Sequence, residues 1–165
     1  MTEQFKLSGP ASLYFSYGQL MAYDSTEREP GSIWTDQHVK QGFVRRPHSV
    51  GIGTLMQDGT ATLSIFRGQP TRTEAYDRVV SVPIDLPSGV LRLEGPDEYP
   101  IERSVDLTPG VFRLTFAQGL NEHGSLRIDL FIDEVDEPSP RSKVLKSDDS
   151  ISDLNELIET GDVAI

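Results

Sequence analysis

The residue types in this chain that could do chemistry are carboxylates, histidines and glycines, and their spacing decides between the options. Acidic side chains gather in three places: Asp24, Glu27 and Glu29; Glu94, Asp97, Glu98 and Glu102 around EGPDEYP; and Glu134, Asp136 and Glu137. None has the D-x-D-x-D-G spacing of a calcium loop. Runs of charge ordinarily form solvated faces. The second group differs, because its acids alternate with Pro96, Tyr99 and Pro100. A stiff, tyrosine-bearing acidic loop suits the anchoring of a basic partner.

His38, His48 and His123 fall in no metal-ligand spacing such as His-x-His or His-Glu-x-x-His. They read as isolated surface residues. Gly51 and Gly53 form a GIG within a strand-like run that opens no helix, so the phosphate-binding context is missing and a bulge or tight strand crossing is expected. No G-x-S-x-G elbow occurs. The chain has no cysteine, which excludes disulfides, Cys-ligated zinc and thiol catalysis. The expectation is a protein that is not an enzyme and holds no metal or cofactor. A triad built from distant positions stays open, since triads are defined by geometry.

The elements that must position these groups are mostly strands. Ser12 to Tyr23, with aromatics near period two, reads as one long strand. A loop of unusual length follows. It carries the only tryptophan, Trp34, and leads into a short helix with Thr35 as N-cap, Asp36 in the first turn and Gly42 as stop. Further strand patterns cover 49–56, 60–68, 76–85, 90–95, 101–107, 110–119 and 126–135. Between them lie a hairpin signal at Asp58-Gly59 and turns at Pro87-Ser88-Gly89 and Thr108-Pro109-Gly110. This punctuation predicts an all-β fold: an antiparallel β-sandwich, jelly-roll-like, with one short inserted helix and a C-terminal helical extension.

Residues 1–136 are expected to form the sandwich and 137–165 an acidic linker and amphipathic helix. In that helix Ile151, Leu154, Leu157 and Ile158 share a face, with Ser150 as cap and Gly161 as stop. Its apolar face either docks on the sandwich or binds a partner or a second copy of the chain, giving a homo-oligomer.

With 165 residues, 36% of them hydrophobic, the chain can bury a core without disulfides. The net charge is −11, and Asp129 to Ile165 alone carries eleven acidic against three basic residues. Direct nucleic-acid binding is disfavoured, because phosphate contacts need Lys and Arg. A basic protein is the better electrostatic match. No leader pattern or long apolar run appears, so a cytoplasmic protein without membrane insertion is expected.

SYGQLMAYDSTEREPGSIWTDQHVKQGF, then IFRG (Ile65 to Gly68), YDRVVSVPI with Tyr76 and Val82-Pro83, and LTPGVFRLTF with Pro109-Gly110 and Leu114-Thr115 follow in order across about residues 12 to 135. This series resembles the competence protein J family, also called the DNA-entry nuclease inhibitor. The resemblance implies an inhibitor that silences a DNA-degrading nuclease. A longer and more acidic C-terminus, from about Glu137, departs from the family. An acidic inhibitor can compete by placing carboxylates where phosphates would lie. The expected partner contacts are therefore Asp24, Glu27, Glu29, Asp36, Glu94, Asp97, Glu98, Tyr99 and Glu102. Trp34 is either a core plug or a contact hot spot. The alternative is a carbohydrate- or small-ligand-binding module with Trp34, Tyr76 and Tyr99 lining a pocket.

Overall fold

A computed structural model of the chain describes residues 5–96, 103–151 and 156–164. In chain order the elements are β1 (Phe5–Phe15), β2 (Gln19–Asp24), α1 (Asp36–Gln41), β3 (Phe43–Arg45), β4 (Ser49–Gly53), β5 (Gly59–Arg67), β6 (Arg78–Leu86), β7 (Val90–Glu94), β8 (Arg103–Asp106), β9 (Gly110–Leu120), β10 (Leu126–Glu134) and β11 (Lys143–Lys146). The larger sheet has the order β1-β5-β10-β9-β6-β11 and the smaller β3-β4-β2-β7-β8. Alternation along the strands sends one set of side chains inward. Leu13, Phe15, Ile65, Val82, Phe112 and Phe116 from the larger sheet meet Leu20, Phe43, Ile52, Leu91 and Leu93 from the smaller in one core.

The expected helix forms as read: Thr35 caps it, and Gly42 ends it in the left-handed region at φ 84°. Other expectations need correction. The run from Ser12 to Tyr23 is two strands, broken where Tyr17 and Gly18 take φ of 55° and 65°. β1 enters the larger sheet and β2 the smaller. Asp58-Gly59 is a crossing between sheets and not a hairpin, because β4 and β5 lie in different sheets. The turns after β6 and after β8 also change sheets. Turn residues mark where a chain reverses and say nothing about which sheet receives it. The pairing is also not wholly antiparallel: β5 and β10 run parallel. Strand alternation is blind to that direction, and the long excursion through β6–β9 supplies the crossover a parallel pair requires.

The C-terminal helix is the largest departure. Residues 156–164 contain no helix, and Leu154 lies outside the described residues. Ile33 N donates to Asp162 O at 2.8 Å, Ala164 N donates to Gly31 O at 3.0 Å, and Ser32 bridges Val163. Before that, β11 pairs with β6, and Ile151 is buried in the main core beside Gly42. Backbone partners and core packing override a helical period that was only one option for so short a segment. Among the described residues no helix is long and apolar enough to cross a membrane.

Candidate functional site

The expected contact residues that are described, Asp24, Glu27, Glu29, Trp34, Asp36 and Glu94, are not equally available. Asp24, at the end of β2, is 0% exposed. One carboxylate oxygen accepts from Ser88 N at 3.0 Å and Ser88 Oγ at 2.7 Å; the other accepts from Thr26 N at 3.0 Å and from Thr26 Oγ1. Burial pushes its pKa up, but the hydrogen bonds from Thr26 and Ser88 together outweigh burial and hold it below the ordinary aspartate value. Asp24 is thus a lock between the exit of β2 and the turn after β6. Its expected role as a partner contact is corrected, because no carboxylate oxygen is left facing solvent.

Glu27 is half-buried and accepts from Glu29 N at 3.1 Å. Glu29 is exposed, while its backbone carbonyl accepts from Arg46. Arg46 also donates to Ser32 Oγ at 2.9 Å and Gly31 O at 3.1 Å, so the loop is wound around one guanidinium. Glu94 and Glu27 line a common groove of about 550 Å³ with Tyr23, Arg28 and Arg92. The groove therefore mixes both signs of charge. Asp97, Glu98, Tyr99 and Glu102 lie outside the described residues.

Trp34 is half-buried, and its Nε1 donates to Gln19 Oε1 at 2.9 Å. A side chain on Gly51 would bring its Cβ to 3.0 Å from Trp34 Cζ2. Glycine in β4 is what lets the indole lie on the sheet. Gly53 is used through its carbonyl, which accepts from Arg78 at 3.0 Å and Gln118 at 2.9 Å. The open side of Trp34 lines a concavity of about 410 Å³ with Tyr17, Val39 and Met56. Asp36 is exposed on the first turn of α1.

Sequence reasoning missed the residues that fasten the C-terminal segment here. His38 is buried, not superficial. Its Nδ1 accepts from Thr35 N at 3.1 Å, and its Nε2 donates to Thr160 O at 2.9 Å. Gln41 Nε2 donates to Ile158 O at 3.0 Å and Gln41 Oε1 accepts from Ile158 N at 2.9 Å. Glu159 accepts from Arg45 Nη1 at 2.7 Å, Ser142 N at 2.6 Å and Ser142 Oγ at 2.7 Å. Burial raises its pKa, but these bonds to Ser142 and Arg45 bring it below the ordinary glutamate value. A Cβ on Gly161 would sit 2.5 Å from Val44 Cγ2, so the segment lies directly on β3. That glycine was the one visible signal, and it was read as a helix stop.

In the third acidic group Glu134 pairs with Arg67 at 2.8 Å and Glu137 with Arg113 at 3.1 Å. Tyr76 donates to Asp129 at 2.7 Å within a separate apolar cluster of Val79, Ala117 and Phe131 on the larger sheet. Trp34, by contrast, lies against Gly51 of the smaller sheet. Among the described residues no group of three or more His, Asp or Glu is placed to hold a metal.

Residues 12–132 match the model of the family described as competence protein J (ComJ). The crystal structure of ComJ, inhibitor of the DNA degrading activity of NucA, from Bacillus subtilis, is similar with a TM-score of 0.68 at 16% identity, over 81% of this chain and 100% of that one. A structure described as crocagin biosynthetic gene J is similar with a TM-score of 0.50 at 18% identity, over 78% and 96% of the two chains. Both are likenesses of fold. No curated protein matches in sequence.

Proposed function

Because the chain belongs to the competence protein J (ComJ) family, we propose that it binds a DNA-degrading nuclease and inhibits it by protein–protein contact, with no catalysis of its own. The observation that carries this reading is the family match over residues 12–132, joined to a two-sheet fold shared with the whole length of a nuclease inhibitor. A nuclease must present cations to grip DNA. A chain of net charge −11 can occupy that surface in place of phosphates.

The proposed contacts are Glu29 and Asp36, which are exposed, with Glu27, Glu94 and Trp34 half-buried beside them. Asp97, Glu98, Tyr99 and Glu102 complete the set on sequence grounds. The partner is basic and the setting cytoplasmic. Residues 137–165 act as a brace on the inhibitory domain. The ligand-module alternative is the weaker reading, since Tyr76 packs with Val79, Ala117 and Phe131 of the larger sheet while Trp34 lies against Gly51 of the smaller.

The test is to capture partners from the protein's own cells at low and moderate salt, identify them, and assay DNA degradation. Recovery of a basic nuclease whose activity falls as purified protein is added back is the expected result. Recovery of no nuclease at either salt overturns the reading.

A further inference from the structure

One end of the sandwich displays apolar side chains that the fold does not use. Tyr17 is 70% exposed in the tight turn between β1 and β2, in the left-handed region that tyrosine seldom adopts. Its hydroxyl has no hydrogen-bond partner among the described residues. Asparagine or aspartate before Gly18 would satisfy the turn better. Fold stability therefore gives no reason for a tyrosine here, and strain of this kind belongs with function.

Val39, 57% exposed, and Met56, 37% exposed, line the same concavity beside Trp34. Its floor is fixed in advance. Gly18 N donates to Gln57 O at 2.7 Å, Thr54 N donates to Gly18 O at 2.9 Å, and Leu55 N donates to Gln118 Oε1 at 3.1 Å. Next in the chain to its lining residues are Asp58, after Gln57, and Asp149, before Ser150, with Asp36 two residues after Trp34; all three are exposed and in no ion pair among the described residues. Arg78, at the base, is committed to Asp148 at 2.9 Å. An exposed apolar centre with carboxylates close by in the chain suits a hot spot for a basic partner. Its complement is an apolar notch ringed by Lys and Arg.

We propose that Tyr17, flanked by Met56, Val39 and Trp34, is the anchor that docks on the cationic DNA-binding face of the inhibited nuclease. This rests on the inhibitor reading and adds the part of the surface that carries affinity. Four protruding or half-open side chains from the family-matched span supply the contact; the C-terminal extension contributes the wall at Ser150 and Ile151, with Asp148 on Arg78 and Asp149 beside it.

The experiment compares wild type, Tyr17→Asn, Tyr17→Asn with Met56→Ser, and Val111→Ser as an exposed apolar control at the opposite end of β9, each titrated into the nuclease recovered above. Tyr17→Asn should weaken inhibition about tenfold or more and the double variant further, with melting temperatures no lower than wild type for Tyr17→Asn and Val111→Ser inhibiting normally. Full inhibition by the double variant overturns the anchor while leaving the inhibitor reading standing. Equal loss on Val111→Ser also overturns it. A wild-type chain that inhibits no nuclease overturns both.

Discussion

The loop from Ser25 to Thr35 and the turn at Tyr17 lie around the same outer face of the smaller sheet, and both carry residue types suited to a partner. The protein treats them in opposite ways. At the loop's entry Asp24 is consumed by Ser88 and Thr26, while within the loop the backbone is held by Arg46 and by residues 156–164. At the turn, Tyr17 is 70% exposed and makes no hydrogen bond among the described residues. Acidic residue type alone therefore does not separate a buried lock such as Asp24 from an exposed carboxylate such as Glu29. Spare hydrogen-bonding capacity and exposed apolar area are better ones.

This contrast can be broken by substitution. Asp24→Ala should lower the unfolding free energy by roughly 2–4 kcal/mol, since it removes a buried acceptor and strands two backbone N–H donors; chemical denaturation measures it. A loss under 1 kcal/mol would mean that Asp24 is not a lock. Gly161→Ala should cost about 1–3 kcal/mol through collision with Val44 and raise amide exchange along Ile158 to Ala164. Protection as strong as in wild type would show that the segment does not lie on β3.

Acid should act on the same elements. Asp24 and Glu159 both have folded pKa values below their ordinary ones. The unfolded state therefore binds more protons in acid, and stability falls as pH drops from the ordinary carboxylate range through the depressed values. Their contribution is complete above that range. Glu159→Gln should cost about 1 kcal/mol at neutral pH and flatten part of the acid slope, read from melting temperatures across pH. An unaltered slope would remove Glu159 from the account. The smallest effect has the opposite sign: Tyr17→Asn should stabilise by up to about 1 kcal/mol, because asparagine tolerates the left-handed region.

Much of the fold was legible because strands, turns and the capped helix write local signals. Thr35, Asp36 and Gly42 set α1 by themselves. Sheet membership was not legible, since Asp58-Gly59 looks the same whether the next strand pairs locally or across the core. Tyr17 was hidden by its own type: tyrosine favours strands, and only Gly18 beside it hinted at a break. The C-terminal segment misled for a related reason. Its apolar spacing suits a helix, but Gln41, His38 and Arg45, more than a hundred residues earlier, supply the partners that hold it extended. Asp24 could not be told from an exposed acid because its donors come from Thr26 nearby and Ser88 far away.

The most direct test is the rate of DNA cleavage by the captured nuclease as this protein is added at several DNA concentrations. Inhibition that completes near a fixed molar ratio, and that weakens as DNA rises, is predicted for an acidic protein seated on the DNA-binding face. Cleavage that stays constant at every ratio would contradict the account.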